Sequence, residues 1–397
     1  MERYAYLYSG NNVKIWGLTP RERMEKVLKK MGDIKIVDSI ASIPSKSKVL
    51  ILNCRHILDE RIIQIINENS NMAVISKENG DDVIGCYVES ELLNDVEKVI
   101  KKEISIYNVN RLKICESGEI TQLSFQKKLK KVDQPVILDT EKNDINYIEN
   151  KLYYGSYKGV TDIVTRLIWP KPAKLAVRFC VKCKITPNMV TTVSLILAIL
   201  AGLLFYINQY VIALILAWFM TFLDTVDGKL ARVTLSSSEF GHRLDHGIDI
   251  LHPLYWYACW AYGLNAWNIS FFSLNQTVGY IFIFYILGRL CEGFFQLILK
   301  APFSIFCWRP IDTFFRLIAA RRNPNLVILT TCAAIGAYDT GIFIVALWTI
   351  ISTIVLITRI FMAFKTKKKK GQLTTWLADI DPERANKKRI YRLFIYN

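Results

Sequence analysis

Four aspartates fall within 26 consecutive residues, DTVDGKLARVTLSSSEFGHRLDHGID, from Asp224 to Asp249. Asp224 and Asp227 are three residues apart, and Asp245 and Asp249 four apart. In helices, each pair shares one face. Ionisable groups beside long apolar runs usually mark a functional site. Four bare carboxylates brought together would repel, and several would protonate. Two divalent cations would balance them instead, and hard oxygen ligands suit Mg²⁺ or Mn²⁺. A metal pair held this way beside a membrane suits phosphoryl chemistry, in which the ions bridge diphosphate oxygens and orient the leaving group. Gly228 and Gly241 permit a ligand close to the backbone. Ala231 is small for the same reason, and Arg232 can pair with phosphate or with a carboxylate.

The elements that hold these residues are apolar helices. The chain has 397 residues, of which 52% are hydrophobic, and the apolar excess begins near residue 188. Six spans are expected, near 189–206, 210–226, 243–262, 277–298, 325–338 and 341–363; the fifth is short for a bilayer core of about 30 Å. Connections 207–209, 263–276 and 339–340 lack Lys and Arg. The opposite connections carry Lys229, Arg232 and Arg243, then Lys300, Arg309, Arg316, Arg321 and Arg322, and Lys365 to Lys370 follow the last span. Positive-inside bias then puts both termini and the carboxylates in the cytoplasm. The net charge of +16 is explained by this placement and by anionic lipid; with no base-reading motif, a nucleic-acid partner is not expected. No repeat suggests a solenoid or an inverted-repeat transporter.

Residues 1–150 read as a soluble α/β layered domain. Ile34–Val37, Val49–Leu52, Met72–Ile75 and Asp82–Val88 suit strands; Arg21–Lys30, Asp59–Asn67 and Glu91–Lys101 suit helices. Alternation of this kind predicts a mainly parallel sheet. The N-terminus lacks the apolar core of a secretory signal, so the head is expected in the cytoplasm with reduced thiols. Nine cysteines are scattered, and the lone C-x-x-C of Cys180 and Cys183 has no second pair to complete a zinc site. Residues 151–187 mix apolar and basic side chains around Pro170 and Pro172, as an amphipathic interfacial segment does. The membrane domain is placed at 188–364 and a basic cytoplasmic tail at 365–397.

The string D-x-x-D-G-x-x-A-R, eight residues, then G-x-x-x-D-x-x-x-D, resembles the signature of the CDP-alcohol phosphotransferase family. Asp224, Asp227, Gly228, Ala231, Arg232, Gly241, Asp245 and Asp249 fill every fixed position. Ile185 to Ser194, ITPNMVTTVS, is similar to the entry of that family's first span. The resemblance implies a transferase that passes a substituted phosphate from a CDP-alcohol to an acceptor hydroxyl and releases CMP. The donor would be CDP-diacylglycerol or a soluble CDP-alcohol such as CDP-inositol. Asp224, Asp227 and Asp245 would hold two ions, Asp249 would be the general base and touch the second ion, and Asn188, Thr191, Gly228, Ala231, Arg232 and Gly241 would line the nucleotide pocket. Arg289, Arg309, Arg316, Arg321 and Arg322 are candidates for the acceptor. His242, His246 and His252 are read as supporting or packing residues, and Arg289 and Glu292 as an ion pair across one turn. The expected setting is a bacterial or archaeal plasma membrane, with membrane lipids and a second copy of the chain as further partners. Residues 6–28 resemble the opening of sugar-nucleotide nucleotidyltransferases, but Cys54–Arg55 stands where an acidic metal ligand belongs. The head is therefore read as a degenerate nucleotidyltransferase-like domain with a structural or regulatory role.

Overall fold

The computed structural model describes residues 2–77, 81–380 and 394–396, and the side chains of Phe240, His242, Leu244, Asp245, Ile395 and Tyr396 lie outside the described residues. The head runs β1 (Arg3–Tyr8), α1 (Pro20–Met31), β2 (Ile34–Val37), β3 (Lys48–Asn53), β4 (His56–Leu58), α2 (Glu60–Glu68), β5 (Met72–Ser76), β6 (Asp82–Glu89), α3 (Leu93–Ile100) and β7 (Lys113–Glu116). Six of these strands form one sheet in the order β2-β1-β3-β6-β5-β7. Pairs β1–β2, β1–β3 and β5–β7 are parallel, as alternation with helices predicts. The sheet is nevertheless mixed, because β6 runs antiparallel to both β3 and β5. Only residues 77–81 join β5 to β6, too few for a parallel crossover. The expected first helix begins at Thr19, whose side chain and Glu22 form a reciprocal cap ahead of Pro20.

Period-two alternation along β3 builds two apolar layers. Leu50 and Leu52 pack with Met24 and Leu28 of α1 and Ile62, Ile63 and Ile66 of α2. Val49 and Ile51 face the other way, toward Val96 and Val99 of α3. Each such buried aliphatic side chain contributes roughly 1.5–3 kcal/mol.

A connecting region follows: α4 (Ser117–Ile120), β8 (Ser124–Gln126), β9 (Lys131–Asp133), β10 (Ile137–Asp139), α5 (Ile145–Gly155), α6 (Ile163–Leu167) and α7 (Pro170–Lys182). β10 returns to pair with β4, where Arg55 grips Asp139 through two hydrogen bonds of 3.0 and 2.7 Å. α7 is two-faced. It buries Ala173, Val177 and Cys180 and leaves Leu175 and Phe179 exposed among basic residues.

The six expected spans correspond to α8 (Pro187–Tyr206), α9 (Tyr210–Val233), α10 (Glu239–Tyr262), α11 (Leu274–Leu297), α13 (Arg322–Ala334) and α14 (Tyr338–Lys370), with the short α12 (Pro310–Ile318) before α13. Among the described residues, four of these are long and apolar enough to cross a membrane: α8, α9, α11 and α14. α10 has the length, but its first half carries charge. α13 has 13 residues, a rise of about 20 Å at 1.5 Å per residue. All six share one core, which includes Ala201, Ala217, Trp260, Ile281, Leu329 and Val345. Small residues set the spacing. At Gly202 a Cβ would lie 2.0 Å from the Tyr255 ring, so α8 and α10 meet only with glycine there. The chain closes with β11 (Ile395–Tyr396), which pairs in parallel with β9 and buries Phe394.

Candidate active site

α9 continues past its apolar stretch to Val233 and so carries Asp224 and Asp227 on its last turns. α10 starts after a five-residue connection, with Ser238 as its cap: the Ser238 hydroxyl accepts from the Gly241 N–H at 3.0 Å. The two halves of the motif therefore sit on adjacent ends of two antiparallel helices.

One cation ties the halves together. Arg322, the first residue of α13, donates from Nη2 to Asp224 Oδ2 at 2.5 Å and from Nη1 to Asp249 Oδ1 at 2.8 Å. The two carboxylates thus converge on one point from different helices. Asp227 is buried and accepts a 2.6 Å hydrogen bond from the Thr191 hydroxyl of α8. Asn188 approaches Gly241 so closely that a Cβ there would lie 2.6 Å from Asn188 Oδ1. Gly228 faces the Arg232 guanidinium, with Nη2 3.1 Å from where its Cβ would be. Asn188, Thr191, Asp227 and Gly241 therefore gather at the junction of α8, α9 and α10. Asp245 is on α10, and its side chain lies outside the described residues.

Among the described residues, no three His, Cys, Asp or Glu side chains form a group that could hold a metal ion. The donor chemistry nevertheless fits a hard divalent cation. The described donors are carboxylates, and a guanidinium stands where their negative charge must be balanced.

The arginine candidates divide. Arg289 pairs with Glu292 at 3.2 Å, and Arg321 pairs with the same carboxylate. Both line a small cavity with Phe306, Gly288 and Thr353. Arg316 lies over the Phe306 ring, 5.6 Å from its centroid. Arg322 is engaged with the motif itself. Arg309 is exposed and lies over Trp308 instead. His252 is buried, donates from Nδ1 to the Ile248 carbonyl and packs edge-on against Trp256; His246 is exposed, and the His242 side chain is outside the description.

Several partners escaped the sequence reading. Asn323 donates to Asp162 at 3.0 Å and Asn325 to the Tyr257 hydroxyl at 2.8 Å. Tyr285 donates to the Asp249 main-chain oxygen at 3.2 Å. Burial pushes the Asp162 carboxyl up, but Arg316, the Thr165 N–H and Asn323 outweigh it and hold it below the usual range. Lys229, buried inside the motif, sits 3.2 Å from the Tyr157 ring centroid. The signal available for the asparagines was Asn-Pro-Asn directly after a basic pair at the head of an apolar run. Between α8 and α10 an apolar groove of about 390 Å³ is lined by Leu195, Ile199, Ile248, Leu251 and Tyr255, with His252 and Arg243 among its polar residues.

Residues 184–350 match the family described as CDP-alcohol phosphatidyltransferase. Over 184 residues the chain is 29% identical to "Archaetidylinositol phosphate synthase" of Pyrococcus horikoshii, covering 46% of this chain and 85% of that protein. Over 206 residues it is 28% identical to "Uncharacterized CDP-alcohol phosphatidyltransferase class-I family protein 3" of Dictyostelium discoideum, covering 49% of this chain and 46% of that protein.

Proposed function

Because residues 184–350 belong to the CDP-alcohol phosphatidyltransferase family, we propose that this protein moves a substituted phosphate from a CDP-linked lipid to the hydroxyl of a phosphorylated polyol, releasing CMP in phospholipid synthesis. The observation that carries the reading is the convergence of Asp224 and Asp249, on two helices, at one positive charge. Asp224, Asp227, Asp245 and Asp249 are the residues that would hold Mg²⁺ or Mn²⁺, and Asn188, Thr191, Gly228, Ala231, Arg232 and Gly241 those that would hold the cytidine diphosphate. Bound there, a divalent ion supplies charge neutralisation for the diphosphate. Asp249 takes the acceptor's proton as general base. The groove between α8 and α10 supports an apolar substrate beside the carboxylates. The Arg289, Arg316 and Arg321 cluster supports an anionic acceptor, and the name of the Pyrococcus relative suggests inositol phosphate.

Both termini and the site are assigned to the cytoplasm from the basic connections. In a background with Cys183→Ser, which removes an exposed native thiol, Asn268→Cys should react with an impermeant thiol reagent from outside intact cells and Ser237→Cys should not. The head is assigned a non-catalytic role. Arg55, at the position where a nucleotidyltransferase would need an acidic ligand, is tied to Asp139. The deciding experiment is purified protein in detergent with Mg²⁺, assayed for CMP release against CDP-lipids and CDP-inositol, each with inositol, inositol phosphate and glycerol phosphate. No CMP from any combination would refute the transferase reading. Turnover with CDP-inositol but not with CDP-lipids would reverse the donor assignment.

A further inference from the structure

The turn that joins the two halves of the motif is held by the head. Arg23, buried on α1, donates from Nη1 to the Val233 carbonyl at 2.7 Å. One turn on, Lys26 donates to the Thr234 carbonyl at 3.0 Å, and Lys30 to the Ser237 hydroxyl at 3.1 Å. Val233 is the last residue of α9, and its carbonyl is one of those a helix leaves without an internal partner. Cations are favoured at that end of a helix by the macrodipole. Three positive side chains on one face of α1 thus follow the chain out of α9 and along the turn.

A second, apolar contact points the same way. Leu235 adopts a left-handed conformation, φ 52°, at the place after a helix end where glycine is usual. The Ser236 N–H completes the stop with a 3.0 Å bond back to the Ala231 carbonyl. Leu235 packs against the head's own core, the cluster of Met24, Leu28 and Ile63. A leucine there costs backbone strain that glycine avoids, and the apolar contact with the head offsets it. Immediately downstream, Ser238 caps α10.

We infer that α1 is a positioning clamp for the phosphotransferase site: Arg23, with Lys26, Lys30 and Leu235, fixes the α9–α10 turn and so sets Asp224 and Asp227 against Asp245 and Asp249. The head serves the reaction through geometry, without a substrate of its own. This rests on the transferase reading for its kinetic consequence but not for its structural one. Loosening the turn leaves the donor-holding residues of α8 and α9 in place but displaces Gly241, Asp245 and the base Asp249 together on α10, so turnover falls and donor affinity falls with it.

The test uses the full chain in detergent, as wild type, Arg23→Gln and Arg23→Lys. The first measurement is amide hydrogen exchange over residues 230–241, without substrate. One charge-assisted hydrogen bond lost should speed exchange there on the order of ten- to a hundredfold, with α14 unchanged as the control for folding. The second is CMP release. Arg23→Gln should lower kcat about tenfold or more and raise donor KM as well, and Arg23→Lys should restore most of both. If Arg23→Gln does not fold, the Lys26→Met/Lys30→Met double variant, at half-buried and exposed positions, takes its place with the same expected direction. Unchanged exchange over 230–241 overturns the clamp, as does wild-type kcat in a variant whose turn exchanges faster. A wild type that releases no CMP sinks the transferase reading alone, and exchange still decides the clamp.

Discussion

Arg322→Gln removes a positive charge shared by Asp224 and Asp249. Arg322 makes two charge-assisted hydrogen bonds, and such bonds contribute about 1.5–3 kcal/mol each. The side chain of Asp224 is 17% exposed and that of Asp249 44%, so the second bond is screened and belongs below that range. In chelator the substitution is therefore expected to destabilise the protein by about 2–4 kcal/mol. With Mg²⁺ the balance changes. If these carboxylates hold divalent ions, the guanidinium competes with them, and its removal should tighten metal binding. Ligand at a hundred times its Kd stabilises the folded state by about 2.7 kcal/mol, enough to recover most of the loss. The assay is thermal unfolding in detergent, in EDTA and in saturating Mg²⁺. Arg322→Gln should gain more from Mg²⁺ than wild type does. Asp224→Asn, which loses the same ion pair and also a metal-holding oxygen, should not. An equal deficit for Arg322→Gln with and without Mg²⁺ would refute the reasoning.

Asp249→Asn is expected to lower turnover on the order of 10²- to 10⁴-fold while Mg²⁺-dependent donor binding survives. Asp227→Asn should weaken that binding itself; calorimetry on both variants separates base from ligand, and equal loss of binding would end the base assignment. Gly241→Ala places a Cβ 2.6 Å from Asn188 Oδ1, so it should displace that side chain and raise donor KM about tenfold with Tm little changed; an unaltered KM would remove Asn188 from the nucleotide pocket. In the head, burial pushes the Asp139 carboxyl up, but the Arg55 guanidinium and the Glu141 N–H hold it down at about 2. A folded value below the unfolded one, about 3.9, gives stability that is present above that pH and lost as pH falls toward 2. Asp139→Asn should flatten the acid limb of the stability curve between about pH 4 and 2. Parallel curves for wild type and variant would show the pair to be without effect.

The motif was legible because its chemistry is written in residue types at short spacing, which helices convert directly into shared faces. The six apolar segments were legible for the same reason, and all became helices. The short fifth segment was already visible and is the 13-residue α13, whereas α10 was not set apart, although it trades apolar residues for the site's charges. β1 went unseen because Arg3 and three tyrosines dilute its apolar run. The direction of β6 depends on a connection length, not on its own residues. The Arg322 bridge crosses 98 residues to Asp224 and 73 to Asp249, and no local period encodes such a pairing. The same holds for the bond from Arg23 of α1 to the end of α9, since Arg23 reads from sequence as one more surface cation of an amphipathic helix.

One apolar cluster joins Ile15, Trp16, Ile57 and Leu138 of the head to Val177 of α7 and to Val226, Leu230 and Val233 of α9. That shared core has a consequence for biogenesis. Arg23 emerges from the ribosome 210 residues ahead of its partner Val233. At about 5–20 residues per second, the underside of the head waits roughly 10–40 s for the helices that cover it. Glu149 and Tyr153 reach Trp16 within that interval, but Val226, Leu230 and Val233 arrive only at its end, so the α9 side of the shared core is completed last. A chain cut after residue 150 lacks Val177, Val226, Leu230 and Val233, and so leaves Ile15, Trp16, Ile57 and Leu138 without that half of their cluster.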